Sequence, residues 1–133
     1  MLENKKLLQG LEGVTLLVFF TETGCSSCIN NELKNINEYF GTFPKYIKFF
    51  YIGSIEEQQY KYYNKRLPIE ALDINKNLLN GYVRLSNPVA MLVDPSGNIF
   101  ELHKADTINH KLSNRFYKRI ASFFNYLNCS KAS

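Results

Sequence analysis

The sequence predicts a single α/β domain in which helices flank a mixed sheet of four or five strands. Three observations support this: two apolar runs enclose a helical pattern, a Pro- and Gly-containing turn joins two later strands, and an amphipathic helix closes the chain. A length of 133 residues suits one domain, with its core between about residues 14 and 128.

The first half of the chain reads as strand, helix and strand. VTLLVFF (Val14 to Phe20) is a β-branched and aromatic run typical of a strand buried on both faces. After a short turn, apolar residues recur at helical spacing from Cys25 to about Phe40. YIKFFYI (Tyr46 to Ile52) predicts a second buried strand, which completes a βαβ unit with parallel strands.

The second half predicts helical pieces, a hairpin and a closing helix. We expect two helical segments, IEEQQYKYYNKRL (Ile55 to Leu67) and NKNLLNGY (Asn75 to Tyr82). VAMLV (Val89 to Val93), the turn DPSG and the strand NIFEL form a β-hairpin signal. The tail from about Ile108 to Asn128 is an amphipathic helix.

Composition narrows the classes of partner. The formal charge is +4 and the basic residues are spread along the chain, so we expect no nucleic-acid binding. No apolar stretch reaches the roughly 18 residues of a membrane span. The start, MLENKKLLQGLEG, is not a secretory signal. We expect a monomer, either a mature or trimmed extracytoplasmic domain, as in the bacterial periplasm, or a cytoplasmic protein.

The motif CSSC places Cys25 and Cys28 three positions apart, between the end of the first predicted strand and the start of the predicted helix. At i and i+3 their β-carbons lie about 5–6 Å apart, close enough to form a disulfide after a small adjustment. Cys25 is expected at the helix start, where unpaired N–H groups favour a thiolate and lower its pKa from about 8.5 towards about 7. Cys28, one turn further in, is expected to stay protonated and to act second.

The sequence leaves two other uses of these cysteines open. A C-x-x-C pair can be half of a zinc site, but Cys129 stands alone and His103 and His110 are seven positions apart. Two buried, inert cysteines would also fit, because free cysteine packs well in cores. We expect no metal, and Cys129 is expected to be a bystander near the C-terminus.

Two segments together resemble the thioredoxin superfamily, and within it the TlpA/ResA-like thiol-disulfide oxidoreductases. They are VTLLVFF leading to CSSC, and PVAMLVDPSGNI, with a longer helical stretch between them than in plain thioredoxin. The resemblance implies a thioredoxin-like fold with a helical insertion before a hairpin opened by a cis-proline, Pro88. It further implies that Asn87 and Pro88 shape a groove for a protein substrate.

The implied activity is thiol-disulfide exchange on protein substrates, with Cys25 as nucleophile and Cys28 as resolving cysteine. We expect a reductase that needs no cofactor and that is recharged by an upstream thiol electron donor. The alternative is a redox-inactive thioredoxin-fold module that binds proteins. A peroxide-consuming enzyme and a copper carrier fit the motifs less well.

The chain also departs from the family pattern around the cysteines. Residues of another type stand at the family's Trp, Pro and buried-acid positions: Gly24, Ser27, Phe19 and Asn31. Glu32, at i+4 from Cys28, and Glu22 are the candidate proton acceptors in their place, although each would more often be a solvated carboxylate. His103 and His110 are expected to be surface or hairpin residues.

Overall fold

A computed structural model describes residues 5–21, 26–41, 45–53, 56–65, 67–72, 77–78, 83–84, 88–106 and 108–132. The helices of this part are α1 (Lys5–Leu8), α2 (Ser26–Phe40), α3 (Gln58–Asn64) and α4 (Lys111–Ala132). Its strands are β1 (Thr15–Thr21), β2 (Ile47–Ile52), β3 (Ile69–Leu72), β4 (Asn77–Leu78), β5 (Val83–Arg84), β6 (Val89–Val93) and β7 (Ile99–Lys104). None of the described helices is both long and apolar enough to cross a membrane.

Five strands form one mixed sheet in the order β3-β2-β1-β6-β7. β1, β2 and β3 are parallel neighbours, whereas β6 runs antiparallel to β1 and β7 antiparallel to β6. The predicted α/β class, the βαβ unit and the closing hairpin are therefore confirmed. The hairpin turn is held by Asp94, whose Oδ1 accepts hydrogen bonds from the backbone N–H groups of Ser96 and Asn98.

Both faces of the sheet are covered, as the buried strands predicted. On one face, α2 and α4 pack over residues such as Val18, Phe20 and Phe49, which belong to the larger core cluster. On the other face, Leu7 of α1 packs with a second cluster that includes Phe19 and Met91. Because adjacent strand residues point to opposite faces, β1 contributes to both cores.

The segment between β2 and β6 differs from the prediction. A helix is present at α3, but Asn77 and Leu78, expected in a second helix, form β4 and pair with β5. The sequence contains Asn80-Gly81 between these strands, a dipeptide that favours tight hairpins and outweighs the helical spacing of the leucines. The short strand β3, which extends the sheet beyond β2, was not predicted.

The sheet places several chain segments at one end. Phe19 pairs with Val89, so the end of β1 lies beside the start of β6, and Ala90 pairs with His103 near the end of β7. α2 starts shortly after β1 ends and runs back over the sheet to β2. The start of α2, the residue before β6 and the last residues of β7 therefore lie at the same end of the sheet.

Candidate functional site

The start of α2 lies where the cysteine motif was expected to act. α2 begins at Ser26, the residue after Cys25, and its first turn contains no acidic side chain to compensate the helix dipole. The first backbone N–H groups of a helix lack intrahelical acceptors and favour a negative charge nearby. Cys25 itself and Glu22 lie outside the described residues.

Cys28 lies in the first turn of α2 and is buried, with 1% of its surface exposed. Its sulfur is disulfide-bonded. Burial of Cys28 agrees with the expectation that this cysteine is packed more closely than one at the helix start.

Pro88 lies at the same end of the sheet as the start of α2. It is buried, it directly precedes Val89 of β6, and its carbonyl oxygen accepts a hydrogen bond from Ala105 N at 2.9 Å. The predicted cis bond joins Pro88 to Asn87, and Asn87 lies outside the described residues. The groove assigned to these two residues therefore stays a prediction.

Glu32 is buried completely, one helical turn after Cys28. The expectation that it is a solvated carboxylate is wrong, because its position on α2 faces the sheet and α4 rather than water. Its Oε1 lies 2.9 Å from Nε2 of His103, which belongs to β7. Residues i and i+4 share one face of a helix, so Glu32 follows Cys28 on the buried side of α2.

His103 lies on the second strand of the hairpin, which was one of the two expectations for it, but it is buried, with 8% of its surface exposed, so the expectation of a surface position is wrong. The alternation of β7 turns this side chain towards α4, where its ring stacks on Phe116 at 4.7 Å between centroids. Its Nε2 lies 2.9 Å from Oγ of Ser113 as well as from Glu32. His110, by contrast, is exposed as expected.

Tyr117 completes this cluster from α4. Its hydroxyl and Oε2 of Glu32 are buried polar atoms with no hydrogen-bond partner of ordinary geometry in the described residues. Burial, and after it the nearby Glu32 carboxylate, raises the pKa of the Tyr117 hydroxyl well above its ordinary value of 10.0. Tyr117 is therefore a neutral phenol that can donate its proton towards Glu32. We call Glu32, His103, Ser113 and Tyr117 the buried polar cluster.

A serine, a histidine and a carboxylate together raise the question of a hydrolytic triad, and the geometry rejects it. In such a triad the serine and the acid bind opposite nitrogens of the imidazole ring. Here Ser113 and Glu32 both approach Nε2 of His103, and Ser113 is 1% exposed. A substrate cannot reach this hydroxyl, and the histidine cannot relay a proton between the two groups in the required way.

Glu32 could be selected by its spacing from Cys28, whereas His103 was expected elsewhere and neither Ser113 nor Tyr117 was expected at the site. Ser113 and Tyr117 are four residues apart and interrupt an otherwise apolar stripe that contains Phe116 and Ile120. That interruption, together with the histidine on a strand, was the available signal. Within the described residues, no group of three or more side chains is arranged to hold a metal ion.

Comparisons with known proteins identify no relative: no protein-family model, no curated protein and no solved structure matches this chain.

Proposed function

We propose that the protein is a thioredoxin-like thiol-disulfide oxidoreductase whose Cys25 and Cys28 exchange a disulfide with protein substrates. The observation that carries the proposal is the start of α2: the helix begins directly after Cys25 and contains a buried, disulfide-bonded Cys28 in its first turn. The sheet order β3-β2-β1-β6-β7, with its parallel half and antiparallel hairpin, is consistent with a thioredoxin-like arrangement.

Cys25 is the partner that we infer for Cys28, and helix geometry supports it over Cys129. Ser113, near the start of α4, is linked through His103 to Glu32 of α2. Further along α4, Phe124 contacts Phe40, the last residue of α2, so the later part of α4 lies far from the start of α2. Sixteen residues separate Ser113 from Cys129 on the continuous helix α4, which is about 24 Å along its axis. A disulfide requires α-carbons within about 7 Å.

The reaction needs no group beyond these sulfurs and one proton acceptor. In the reductive direction, the Cys25 thiolate attacks a substrate disulfide, forms a mixed disulfide and releases the first substrate thiolate. Cys28 then loses its proton, attacks the Cys25 sulfur and releases the second substrate thiolate. The substrate gains two electrons, and the Cys25–Cys28 pair is oxidised to the disulfide. An upstream thiol donor reduces that disulfide again.

Glu32 is the acceptor that we assign to the Cys28 proton. It follows Cys28 by one turn on the buried side of α2, and its Oε2 makes no hydrogen bond of ordinary geometry in the described part of the chain, with the Tyr117 hydroxyl nearby. A buried thiol has no water to which it can lose its proton readily, so a carboxylate on the same buried face of the helix, which can accept more than one hydrogen bond, supports the second step.

Reduction of insulin disulfides with dithiothreitol as donor tests the proposal. We expect turnover by the wild type, loss of turnover in both Cys25→Ser and Cys28→Ser, and unchanged turnover in the control Cys129→Ser. Cys25→Ser should also fail to form a mixed disulfide, whereas Cys28→Ser should trap one. An inert wild type would contradict the proposal and favour the alternative, a protein-binding module without redox activity.

The midpoint potential of the cysteine pair then decides the direction of electron flow. A value near −270 mV is typical of a reductase and one near −120 mV of an oxidant. We propose the reductive direction, with a client protein and a thiol donor as partners.

A further inference from the structure

The buried polar cluster contains a carboxyl group, Glu32, whose ionised form needs a compensating charge. Glu32 has no exposed surface, and an ionised carboxylate in such a place is costly unless an opposite charge accompanies it. His103 is the side chain that forms an ion pair with Glu32 in the described part of the chain. The thiol form of the site is therefore neutral when Glu32 is a carboxylate and His103 an imidazolium.

We propose that His103 acts through Glu32 as the exit for the proton that Cys28 loses when it resolves the mixed disulfide. This inference rests on the proposed oxidoreductase function, and it adds a residue and a route to it. The Cys28 S–H bond breaks and its proton passes to Oε2 of Glu32. The imidazolium of His103 then releases one proton to solvent, and the departing substrate thiolate takes up a proton from solvent.

Charge balance gives the direction of this transfer. Once Glu32 has accepted the Cys28 proton, the pair with His103 carries one uncompensated positive charge inside the protein. Burial of a lone charge is unfavourable, so the pair loses a proton and becomes neutral again. His103 is 8% exposed, whereas Glu32 and Tyr117 are fully buried, so His103 is the member of the cluster with an edge towards solvent.

The other ionisable groups around the pair do not compete for this role. From α4, Tyr117 faces Glu32 and remains a neutral phenol. From β7, Glu101 forms an ion pair with Arg119 of α4 at 3.0 Å, and both side chains are substantially exposed. From α2, Cys28 is the group that supplies the proton. Ala90 of β6, which pairs with His103, has no titratable side chain.

Ser113 orients the imidazole ring of His103, from which the proton is released. Its Oγ lies 2.9 Å from Nε2 of His103, so the same ring nitrogen is held by Ser113 and Glu32 together. Phe116 stacks on the ring and fixes its plane. With Nε2 held in this way, the remaining ring nitrogen, Nδ1, is the one from which a proton is released.

The test is a rapid-quench measurement of the two steps of a single turnover, as a function of pH, in wild type and His103→Gln. Glutamine can still donate a hydrogen bond to Glu32 but cannot carry the proton onward. We expect mixed-disulfide formation at Cys25 to be unchanged. Attack by Cys28 should slow by about tenfold or more near neutral pH, within the range of general acid–base effects.

The pH profile separates proton transfer from a purely structural effect. In the wild type, the rate of the Cys28 step should vary little around neutral pH. In His103→Gln it should rise steadily with pH, because the proton must leave without the relay. The exposed His110→Gln is the matched control and should follow the wild type. Equal rates and profiles for wild type and a folded His103→Gln would overturn the inference and leave the proposed function intact.

A second measurement covers the case in which His103→Gln does not fold. The ring-nitrogen NMR shifts of His103 should differ between the dithiol and disulfide forms of the wild type at the same pH, because the proposed route removes one proton from the ring. The same protonation state in both forms would overturn the inference. Failure of the wild type to turn over at all would instead overturn the proposed function.

Discussion

Removing His103 while Glu32 remains should be the more damaging way to break the buried pair. The variant His103→Leu preserves apolar contact with Phe116 but deprives the Glu32 carboxylate of its ion-pair partner at 2.9 Å. Because Glu32 has no exposed surface, we expect a loss of about 3–5 kcal/mol in the free energy of unfolding. That is a large share of the roughly 5–15 kcal/mol that stabilises a typical domain.

The reverse substitution should cost less, because histidine can discard its charge. In Glu32→Leu, the His103 ring can become neutral and retain its contact with Ser113. We expect a loss of about 1–3 kcal/mol, the usual range for an impaired buried hydrogen bond. The double variant should lose less than His103→Leu alone, because two apolar side chains leave no stranded charge.

Urea unfolding of the dithiol protein measures these differences, because the route proposed above leaves Glu32 protonated and His103 neutral in the disulfide form. With an m-value of about 2 kcal/mol/M, a loss of about 4 kcal/mol lowers the unfolding midpoint by about 2 M. A His103→Leu deficit below about 1 kcal/mol, or a double variant that loses the sum of both singles, would refute this reasoning.

Two further predictions concern the loops. Gly53 has a φ of +155°, and a β-carbon there would lie 2.8 Å from Cε1 of the buried Tyr51 ring, so Gly53→Ala should cost about 1–3 kcal/mol in urea unfolding. Gly13→Ala, with open space around it, should stay within about 0.5 kcal/mol, and equal losses would contradict the steric argument. Hydrogen bonds, first from the Asn98 side chain, hold the pKa of Asp94 below its ordinary value of 3.8. The carboxyl NMR titration of Asp94 should therefore have a midpoint below 3.8, with the turn weakening as the pH falls through it; a midpoint at or above 3.8 would contradict this.

Apolar runs explain how much of the fold could be predicted. β1, β2 and β6 are nearly continuous stretches of large apolar residues, and few environments other than the middle of a sheet bury such a pattern. β3 escaped prediction because IEAL has only four residues at the end of the sheet and follows a proline. A strand of this kind is defined by its pairing with β2, which is a tertiary property.

The buried polar cluster could be predicted only in part, and β7 shows why. Its outward residues Phe100 and Leu102 are apolar and substantially exposed, whereas His103 on the opposite face is buried. This reverses the usual pattern of apolar residues inside and polar residues outside. Helical spacing was enough to connect Glu32 with Cys28. The pairing of Glu32 with His103 depends on how two distant segments meet, which spacing does not encode.

The ion pair between Glu32 and His103 joins residues 71 positions apart, which has a consequence for how the chain folds. While only the amino-terminal strand–helix–strand unit has formed, the Glu32 carboxylate can remain hydrated on the open side of α2. Docking of β7 and α4 expels that water and supplies the compensating imidazole in the same event. The Glu32 side of the core can therefore be buried at low cost only after β7 and α4 have docked. This disfavours partly folded molecules and makes folding more cooperative.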